Sequence, residues 1–238
     1  DKDKFFIIDS ENTINCFLVK DGTKLWEFKT DKDLIKSQQK LSIVLDNNKV
    51  YVNNSLGDIY SLDKKSGALV WLTPIRKLNN SSKSFLFKAS KLVLDDTSLY
   101  LSNNQNLFYS INIKSGLVNW THDINSYYAP IISNNLIFTI SLDGYLFIIE
   151  KINGNIVRIN DLFANLSDKK RKKLKISGFA LSTKNIYVSL NNGKILEVSI
   201  KDAKLKSTLK IGGKNISKPF ISNQKMYIIK NNEVVKLD

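Results

Sequence analysis

Cysteine, histidine and proline are scarce in this sequence of 238 residues, which contains one, one and three of them respectively. Because Cys16 is alone, no intrachain disulfide can form, and a disulfide-stapled scaffold is excluded. The single histidine, His122, cannot form a zinc site with one cysteine, and no Ser-His-Asp set has a recognisable nucleophile turn. We therefore expect a protein that is not an enzyme, with no catalytic residues, no metal and no cofactor.

Long hydrophobic runs are also absent. No apolar stretch approaches the roughly 18 residues that a membrane helix needs, and the first residues lack the charged and apolar regions of a signal peptide. Hydrophobic residues nevertheless make up 42% of the chain, which is enough for a sizeable core. The sequence therefore predicts a folded protein rather than a disordered one.

Basic residues outnumber acidic ones, so the formal net charge is +14 and the pI is near 9.6. Such a charge suits an acidic protein, an anionic membrane or nucleic acid. Lysines are scattered along the whole chain, however, so the excess also fits a compositional bias with no role in binding. Aromatic residues that would stack on bases are not interleaved with the charges, and we expect no nucleic-acid partner.

A fifteen-residue pattern occurs three times, which is the main feature of the sequence. The three segments are NTINCFLVKDGTKLW at 12–26, GDIYSLDKKSGALVW at 57–71 and NLFYSINIKSGLVNW at 106–120. In each segment a turn-prone residue comes ten places before a glycine, and a tryptophan follows that glycine by four places. A recurrence at this scale predicts a repeat architecture.

The same spacing continues beyond the three tryptophans. Each repeat has a turn residue, a second turn residue ten places later and an aromatic residue six places before the first turn. The first turn residues are Asn12, Gly57, Asn106, Gly144 and Gly193, the second are Gly22, Gly67, Gly116, Gly154 and Ala203, and the aromatic residues are Phe6, Tyr51, Tyr100, Phe138 and Tyr187. A sixth copy at 218–238 closes the chain.

Each repeat consists of short β-branched and aromatic runs separated by turn residues, which predicts four antiparallel strands. The third strand is apolar on both faces, as in Ile59, Tyr60 and Leu62, so each sheet is expected to lie between two others. We predict an all-β fold, a single β-propeller domain over 1–238 with about six blades or partial blades. The blades are expected at about 5–28, 40–73, 90–124, 129–160, 176–211 and 218–238, the first without its opening strand and the sixth without its last.

In this interpretation, the glycines and tryptophans of the motif stabilise the fold. Glycine at the turn between the third and fourth strands permits a left-handed backbone. Tryptophan on the outer strand offers a large apolar surface to cover the boundary with the adjacent blade. The structural residues of the repeat are Gly22, Trp26, Gly67, Trp71, Gly116, Trp120 and Gly154. Cys16 occupies the place of Ser61 and Ser110 and is expected to be an inert packing residue.

The motif D-x-x-S/T-G-x-x-x-W resembles the propeller repeat of the pyrroloquinoline-quinone-like superfamily. Within it, WTHDINSYYAPIISNNLIFTISLDGYLFIIEKINGNIVRI at 120–159 resembles the BamB family of outer-membrane β-barrel assembly lipoproteins. The resemblance implies three-quarters of an eight-bladed ring, without its lipidated N-terminus, on the periplasmic side of the outer membrane of a Gram-negative bacterium. It also implies a scaffold that supports barrel assembly and insertion by binding the periplasmic domains of the outer-membrane barrel-assembly protein.

Two other functions stay open at this point. Quinone-dependent dehydrogenases share the repeat, so the chain would fit a fragment of such an enzyme, although nothing in the sequence gathers a ligand cluster for quinone and calcium. A generic surface-binding propeller is the third interpretation, because one propeller fold serves many roles.

Two connectors between blades are candidates for partner binding. The connector at 74–90 carries Arg76, Leu78, Phe85 and Phe87, a mixture of apolar groups and arginine that is common in interfaces; alternatively, its end begins the next blade. The connector SDKKRKKLK at 167–175 has five consecutive cations, Lys169, Lys170, Arg171, Lys172 and Lys173. It predicts a docking patch for an acidic protein or an anionic membrane surface, or else a solvated loop.

Overall fold

The computed structural model describes residues 2–31, 41–75, 88–213 and 215–237. Strands dominate these residues, and one four-residue helix, Asp168–Arg171 (α1), accompanies them. The chain forms two compact units, Asp1–Ala129 and Pro130–Asp238, which we call the N-terminal and C-terminal units.

The N-terminal unit contains three antiparallel sheets, each built from strands that follow one another along the chain. Sheet 1 has three strands, and sheets 2 and 3 have four each. The strands are β1 (Lys4–Ile8), β2 (Thr13–Leu18) and β3 (Lys24–Lys29) in sheet 1; β4 (Ile43–Leu45), β5 (Lys49–Asn53), β6 (Asp58–Asp63) and β7 (Leu69–Pro74) in sheet 2; and β8 (Val93–Leu94), β9 (Ser98–Asn103), β10 (Leu107–Asn112) and β11 (Val118–His122) in sheet 3.

The C-terminal unit has the same construction, with sheets 4 and 5 of four strands and sheet 6 of three. The strands are β12 (Ile131–Ser133), β13 (Leu136–Ile140), β14 (Tyr145–Glu150) and β15 (Ile156–Asp161) in sheet 4; β16 (Ile176–Leu181), β17 (Asn185–Leu190), β18 (Lys194–Ser199) and β19 (Leu205–Lys210) in sheet 5; and β20 (Phe220–Ser222), β21 (Lys225–Lys230) and β22 (Glu233–Leu237) in sheet 6. The prediction of an all-β chain of six antiparallel sheets is confirmed, including the short first and last sheets.

Sheet 2 shows why its third strand is apolar on both faces. Ile59 of β6 belongs to a buried cluster with Leu99 of sheet 3. Tyr60 and Leu62, on the other face of β6, belong to a second buried cluster with Ile14 of sheet 1. Each boundary between sheets therefore has its own hydrophobic core, and β6 contributes to two of them, as the sequence predicted.

The C-terminal unit repeats this arrangement between sheets 5 and 6. Ile195 of β18 and Ile228 of β21 are buried together with Ile216, which lies between the two sheets in the sequence. Met226 and Leu237 of sheet 6 pack against this cluster while remaining partly accessible. Burial of apolar surface between neighbouring sheets is thus the main stabilising term in both units.

A row of three side chains crosses each sheet of the N-terminal unit, with an aromatic residue, a small residue and a tryptophan on neighbouring strands. The aromatic and indole rings lie 5.8, 5.8 and 6.1 Å apart between centroids in sheets 1, 2 and 3. The rings meet because the middle residue is small. The rows are Phe6, Cys16 and Trp26; Tyr51, Ser61 and Trp71; and Tyr100, Ser110 and Trp120.

Cys16 is fully buried in the first of these rows. Burial raises the pKa of its thiol, and the nearby charge of Lys4 opposes this only in part. The thiol is therefore held in its neutral form, which is the unreactive one. The middle position of each row lies beside two aromatic rings, which explains why it holds a small residue: Cys16, Ser61 or Ser110.

The tryptophan of one sheet contacts the turn glycine of the next sheet. A Cβ atom added to Gly67 would lie 2.6 Å from Cδ2 of Trp26, and one added to Gly116 would lie 2.7 Å from Cδ2 of Trp71. Real Cβ atoms are essentially never this close to a ring, so only glycine leaves room for the indole. We call this arrangement the indole–glycine contact.

Hydrogen bonds fix each indole in this position. The Nε1–H of Trp26 donates to the carbonyl oxygen of Lys64 at 3.2 Å, and that of Trp71 donates to the carbonyl oxygen of Ile113 at 3.0 Å. Beside the second contact, Thr73 Oγ1 donates to the carbonyl oxygen of Gly116 at 2.6 Å. Buried indoles need such a partner for their N–H group, and here the partner belongs to the following sheet.

The backbone conformation alone does not require glycine at this turn. Gly22, Gly67 and Gly116 have φ between +73° and +75°, but Ala203 adopts φ of +59° at the equivalent place. The sheet before Ala203 carries the exposed Arg158 where sheets 1, 2 and 3 have tryptophan. Alanine therefore occurs where no indole comes from the preceding sheet, and the contact explains Gly67 and Gly116 better than turn geometry does.

Substitution of Gly116 tests this explanation, with Gly22 as the matched control. Gly116→Ala should lower the free energy of unfolding by about 3 kcal/mol, since left-handed strain of about 1–2 kcal/mol adds to overpacking of about 1–3 kcal/mol. Gly22→Ala has the same backbone strain but nothing within 4 Å of the new Cβ, so it should cost only about 1 kcal/mol. Urea unfolding measures both, and equal costs would refute the contact.

Candidate interaction site

The first connector that the sequence singled out lies mostly outside the described residues. Its candidate residues fall within 76–87, for which the structure gives no description; they are Arg76, Leu78, Phe85 and Phe87. The alternative, that the end of this connector begins the next sheet, also depends on residues in that range. In the described residues that follow, the first strand of sheet 3 is β8, which begins at Val93.

Both ends of this connector are attached to sheet 3. The carbonyl oxygen of Ile75 accepts a hydrogen bond from the hydroxyl of Tyr109 at 3.1 Å. On the other side, the backbone N–H of Lys88 donates to Oδ1 of Asn104 at 2.9 Å, and Ala89 forms an isolated bridge with Asn103. The two ends of the connector are therefore fixed at the turn between β9 and β10.

The second connector, which we call the basic connector, runs from residue 162 to residue 175 between β15 and β16. It contains α1, so one helical turn lies within the segment that the sequence predicted to be a loop between blades. Short helical turns form readily where lysine and arginine follow an acidic first residue, here Asp168. The lysines at 169, 170, 172 and 173 are exposed, whereas Arg171 is only partly accessible.

Arg171 differs from the lysines around it because it binds to sheet 4. Its Nη1 donates to Oδ2 of Asp161 at 2.5 Å, and its Nη2 donates to the carbonyl oxygen of Asp143 at 2.8 Å. The guanidinium also lies over the ring of Tyr145, 5.0 Å from the centroid. The hydrogen bond to Asp161 raises the pKa of Arg171 above its usual value. Arg171 thus fastens α1 to sheet 4.

An aromatic residue holds the beginning of the basic connector on the same sheet. Phe163 is buried and its ring lies against Gly144, at a position that any Cβ atom would occupy. The backbone N–H of Phe163 donates to Oδ1 of Asp161 at 2.9 Å, and the N–H of Leu162 donates to the carbonyl oxygen of Gly144 at 3.0 Å. The first turn of the connector is consequently packed rather than solvated.

Asn191, at the turn between β17 and β18, holds the end of the basic connector on sheet 5. Its Oδ1 accepts a hydrogen bond from the backbone N–H of Lys175 at 3.0 Å, and its Nδ2 donates to the carbonyl oxygen of Lys173 at 3.2 Å. Its backbone N–H donates to the carbonyl oxygen of Lys175 at 2.8 Å. The basic connector is therefore attached at three points, which the run of charges in the sequence did not reveal.

The single histidine considered in the sequence analysis packs against another side chain. His122 ends β11, and its ring lies 5.3 Å from that of Trp120. Within the described ranges, no three histidine, cysteine, aspartate or glutamate side chains are grouped where they would hold a metal ion. In the same ranges, no helix has the length and apolar character needed to cross a membrane.

A family model described as the outer membrane protein assembly factor BamB matches residues 1–160, which is more than half of the sequence. The chain belongs to the BamB family. Its fold is similar to that of BamB from Moraxella catarrhalis, with a TM-score of 0.78 and 17% identity over 98% of this chain and 69% of that one. The resemblance to this family that the repeat indicated is therefore confirmed.

Two other solved structures are similar in fold at lower identity. A computationally designed protein, Ika8, gives a TM-score of 0.72 with 13% identity over 99% of this chain and 68% of that one. Sqt1 from Saccharomyces cerevisiae gives 0.69 with 10% identity over 98% and 67%. No curated protein sequence matches the chain. Likeness at these identities shows the propeller fold, and the family match alone connects this chain to BamB.

Replacement of Arg171 tests whether the basic connector depends on its attachment to sheet 4. In Arg171→Gln, we expect the backbone amides of residues 170–174 to exchange with solvent about tenfold faster, since losing a charge-assisted hydrogen bond lowers the local opening energy by about 1.4 kcal/mol. Arg158→Gln removes the same charge from an exposed position on β15 and should leave these rates unchanged. Equal protection in both variants would show that Arg171 does not hold the connector.

Proposed function

We propose that this protein is a non-enzymatic scaffold that supports assembly and insertion of outer-membrane β-barrel proteins. It does so by binding the periplasmic domains of the barrel-assembly outer-membrane protein. The observation that carries this proposal is the family match over residues 1–160, on a chain whose sheets follow the repeat of that family. The corresponding location is the periplasmic side of the outer membrane of a Gram-negative bacterium.

The side chains with the greatest catalytic potential support a role without chemistry. Cys16 is fully buried and its raised pKa keeps the thiol neutral, so it is a poor nucleophile. His122 packs its ring on Trp120 at the end of an outer strand. Both residues are therefore explained by packing, and the family to which the chain belongs is described as an assembly factor.

The connectors, rather than the sheets, are the proposed contact surfaces. Strands within a sheet use their side chains against neighbouring sheets, as Ile59 and Tyr60 do, whereas loops on a rigid framework are free to bind. We assign the partner contact to the connector at 74–90, where Arg76 and Phe85 combine an anchoring cation with an apolar ring. The exposed lysines of the basic connector add a positive surface for an acidic partner or an anionic membrane.

A binding assay with purified components tests this proposal. The protein, expressed from its complete reading frame, is immobilised and exposed to the periplasmic domains of the barrel-assembly protein from the same organism. We expect specific binding, and we expect Arg76→Ala together with Phe85→Ala to weaken it at least about tenfold, because interface hot spots contribute about 2 kcal/mol or more each.

Lys20→Gln together with Lys204→Gln is the control, because both lysines are exposed and lie far from either connector in the sequence. These two changes should leave affinity within about twofold, as expected for exposed charges. Absence of binding by the unmodified protein would refute the proposed partner. Unchanged binding by the double variant at 76 and 85 would place the contact elsewhere on the protein.

A further inference from the structure

A cavity of about 880 Å³ lies between the basic connector and sheet 5 in the C-terminal unit. This volume is within the range of ligand-binding clefts, which is about 300–1,000 Å³. The cavity is bounded on one side by the connector that follows β15 and on the other by residues Gly213 and Asn215 after β19. Since Asn191 and Arg171 fasten the basic connector to both neighbouring sheets, this boundary is part of the folded framework.

Part of the cavity lining is apolar. Leu166 and Leu174 of the basic connector and Leu196 of β18 form this part, together with Leu205 of β19. Leu205 is 45% exposed, so a large apolar side chain is accessible at this point instead of being covered by another sheet. A ligand that placed its own apolar group here would remove this surface from water.

Three lysines also line the cavity, and two of them belong to the run of cations in the basic connector. Lys170 and Lys173, which are one helical turn apart, line the cavity, and so does Lys194 at the start of β18. Arg171, between the first two, faces sheet 4 and is paired with Asp161. None of the described residues that line the cavity is acidic. The cavity therefore attracts negative charge and repels positive charge.

Uncharged polar groups complete the boundary. Asn165, Asn192 and Asn215 line the cavity and are exposed, and Thr208 lines it from β19. Amide and hydroxyl groups donate and accept hydrogen bonds, so they match the alternating N–H and C=O groups of a peptide backbone. A lipid chain has no such groups to satisfy, which favours a peptide as the occupant.

We propose that this cavity binds a short extended peptide segment in which an acidic side chain neighbours a large apolar one. The acidic group pairs with Lys170 and Lys173, the apolar side chain covers Leu205 and its neighbouring leucines, and the asparagines bind the backbone. This site deepens the role that the proposed function gives to the lysines of the basic connector, and it is separate from the partner contact assigned to the connector at 74–90. Its test needs only this protein and synthetic peptides, so its failure and that of the barrel-assembly role are distinguishable.

An array of synthetic hexapeptides tests the proposal directly. The peptides combine aspartate or asparagine with phenylalanine, leucine or serine at neighbouring positions, and binding of the fluorescently labelled protein is measured on each. We expect binding to peptides with aspartate beside phenylalanine or leucine, and at least about tenfold weaker binding when either group is replaced by its neutral or polar counterpart.

Variants of the protein then identify the site. Lys170→Gln with Lys173→Gln should weaken binding of the best peptide about tenfold, and Leu205→Thr should weaken it about fivefold because it removes apolar surface at an exposed position. Lys201→Gln with Lys204→Gln is the matched control. It removes the same charge from exposed positions of the same unit, which do not line the cavity, and should change affinity less than about twofold.

Several results would overturn the proposal. One is the absence of binding to any peptide, and another is binding that does not depend on aspartate. Equal losses in the two lysine pairs would show a general attraction of charge rather than a site. Vesicles of phosphatidylcholine with phosphatidylglycerol provide the last comparison: if they bind the unmodified protein and the best peptide does not compete, the lysines serve a membrane surface instead.

Discussion

The fold of the N-terminal unit depends on one contact, the packing of a tryptophan indole onto the turn glycine of the next sheet. Trp26 reaches Gly67 and Trp71 reaches Gly116, each at a distance that leaves no room for a Cβ atom. The indole is simultaneously packed against an aromatic ring of its own sheet and hydrogen-bonded to a carbonyl of the following one. Each contact therefore joins two sheets and determines their spacing, and the apolar clusters between sheets form around it.

Most of the framework could be predicted from the sequence, because strands and turns are encoded by neighbouring residues. The indole–glycine contact could not, since its two residues belong to different repeats: tryptophan was expected to cover the boundary with the adjacent blade, but glycine had a sufficient explanation in its own turn. One signal was present: Arg158 replaces tryptophan and Ala203 replaces glycine in the following repeat. The role of Arg171 was equally hidden, because its partners are Asp161 and the carbonyl of Asp143, and a run of five cations gives no sign of which one is paired.

The sheets and the connectors have different proposed roles: the sheets form the framework, and the connectors bind partners. Side chains of the inner strands are largely used for packing between sheets, so we propose that partner binding is concentrated in the connectors. In the basic connector, Phe163 and Arg171 attach the segment to sheet 4, while Lys170 and Lys173 remain available at the cavity. Membership of the BamB family then suggests a scaffold whose partners are held by loops of fixed geometry, a use of the propeller fold that needs no catalytic group.

A double-mutant cycle between Trp71 and Gly116 measures the central contact most directly. Coupling between two residues in contact is about 0.5–3 kcal/mol, whereas independent residues give additive effects. We expect Gly116→Ala to be at least about 1 kcal/mol less destabilising in a Trp71→Ala background than in the unmodified protein, because removal of the indole makes room for the Cβ atom. The same cost of Gly116→Ala in both backgrounds, by urea unfolding, would contradict the account.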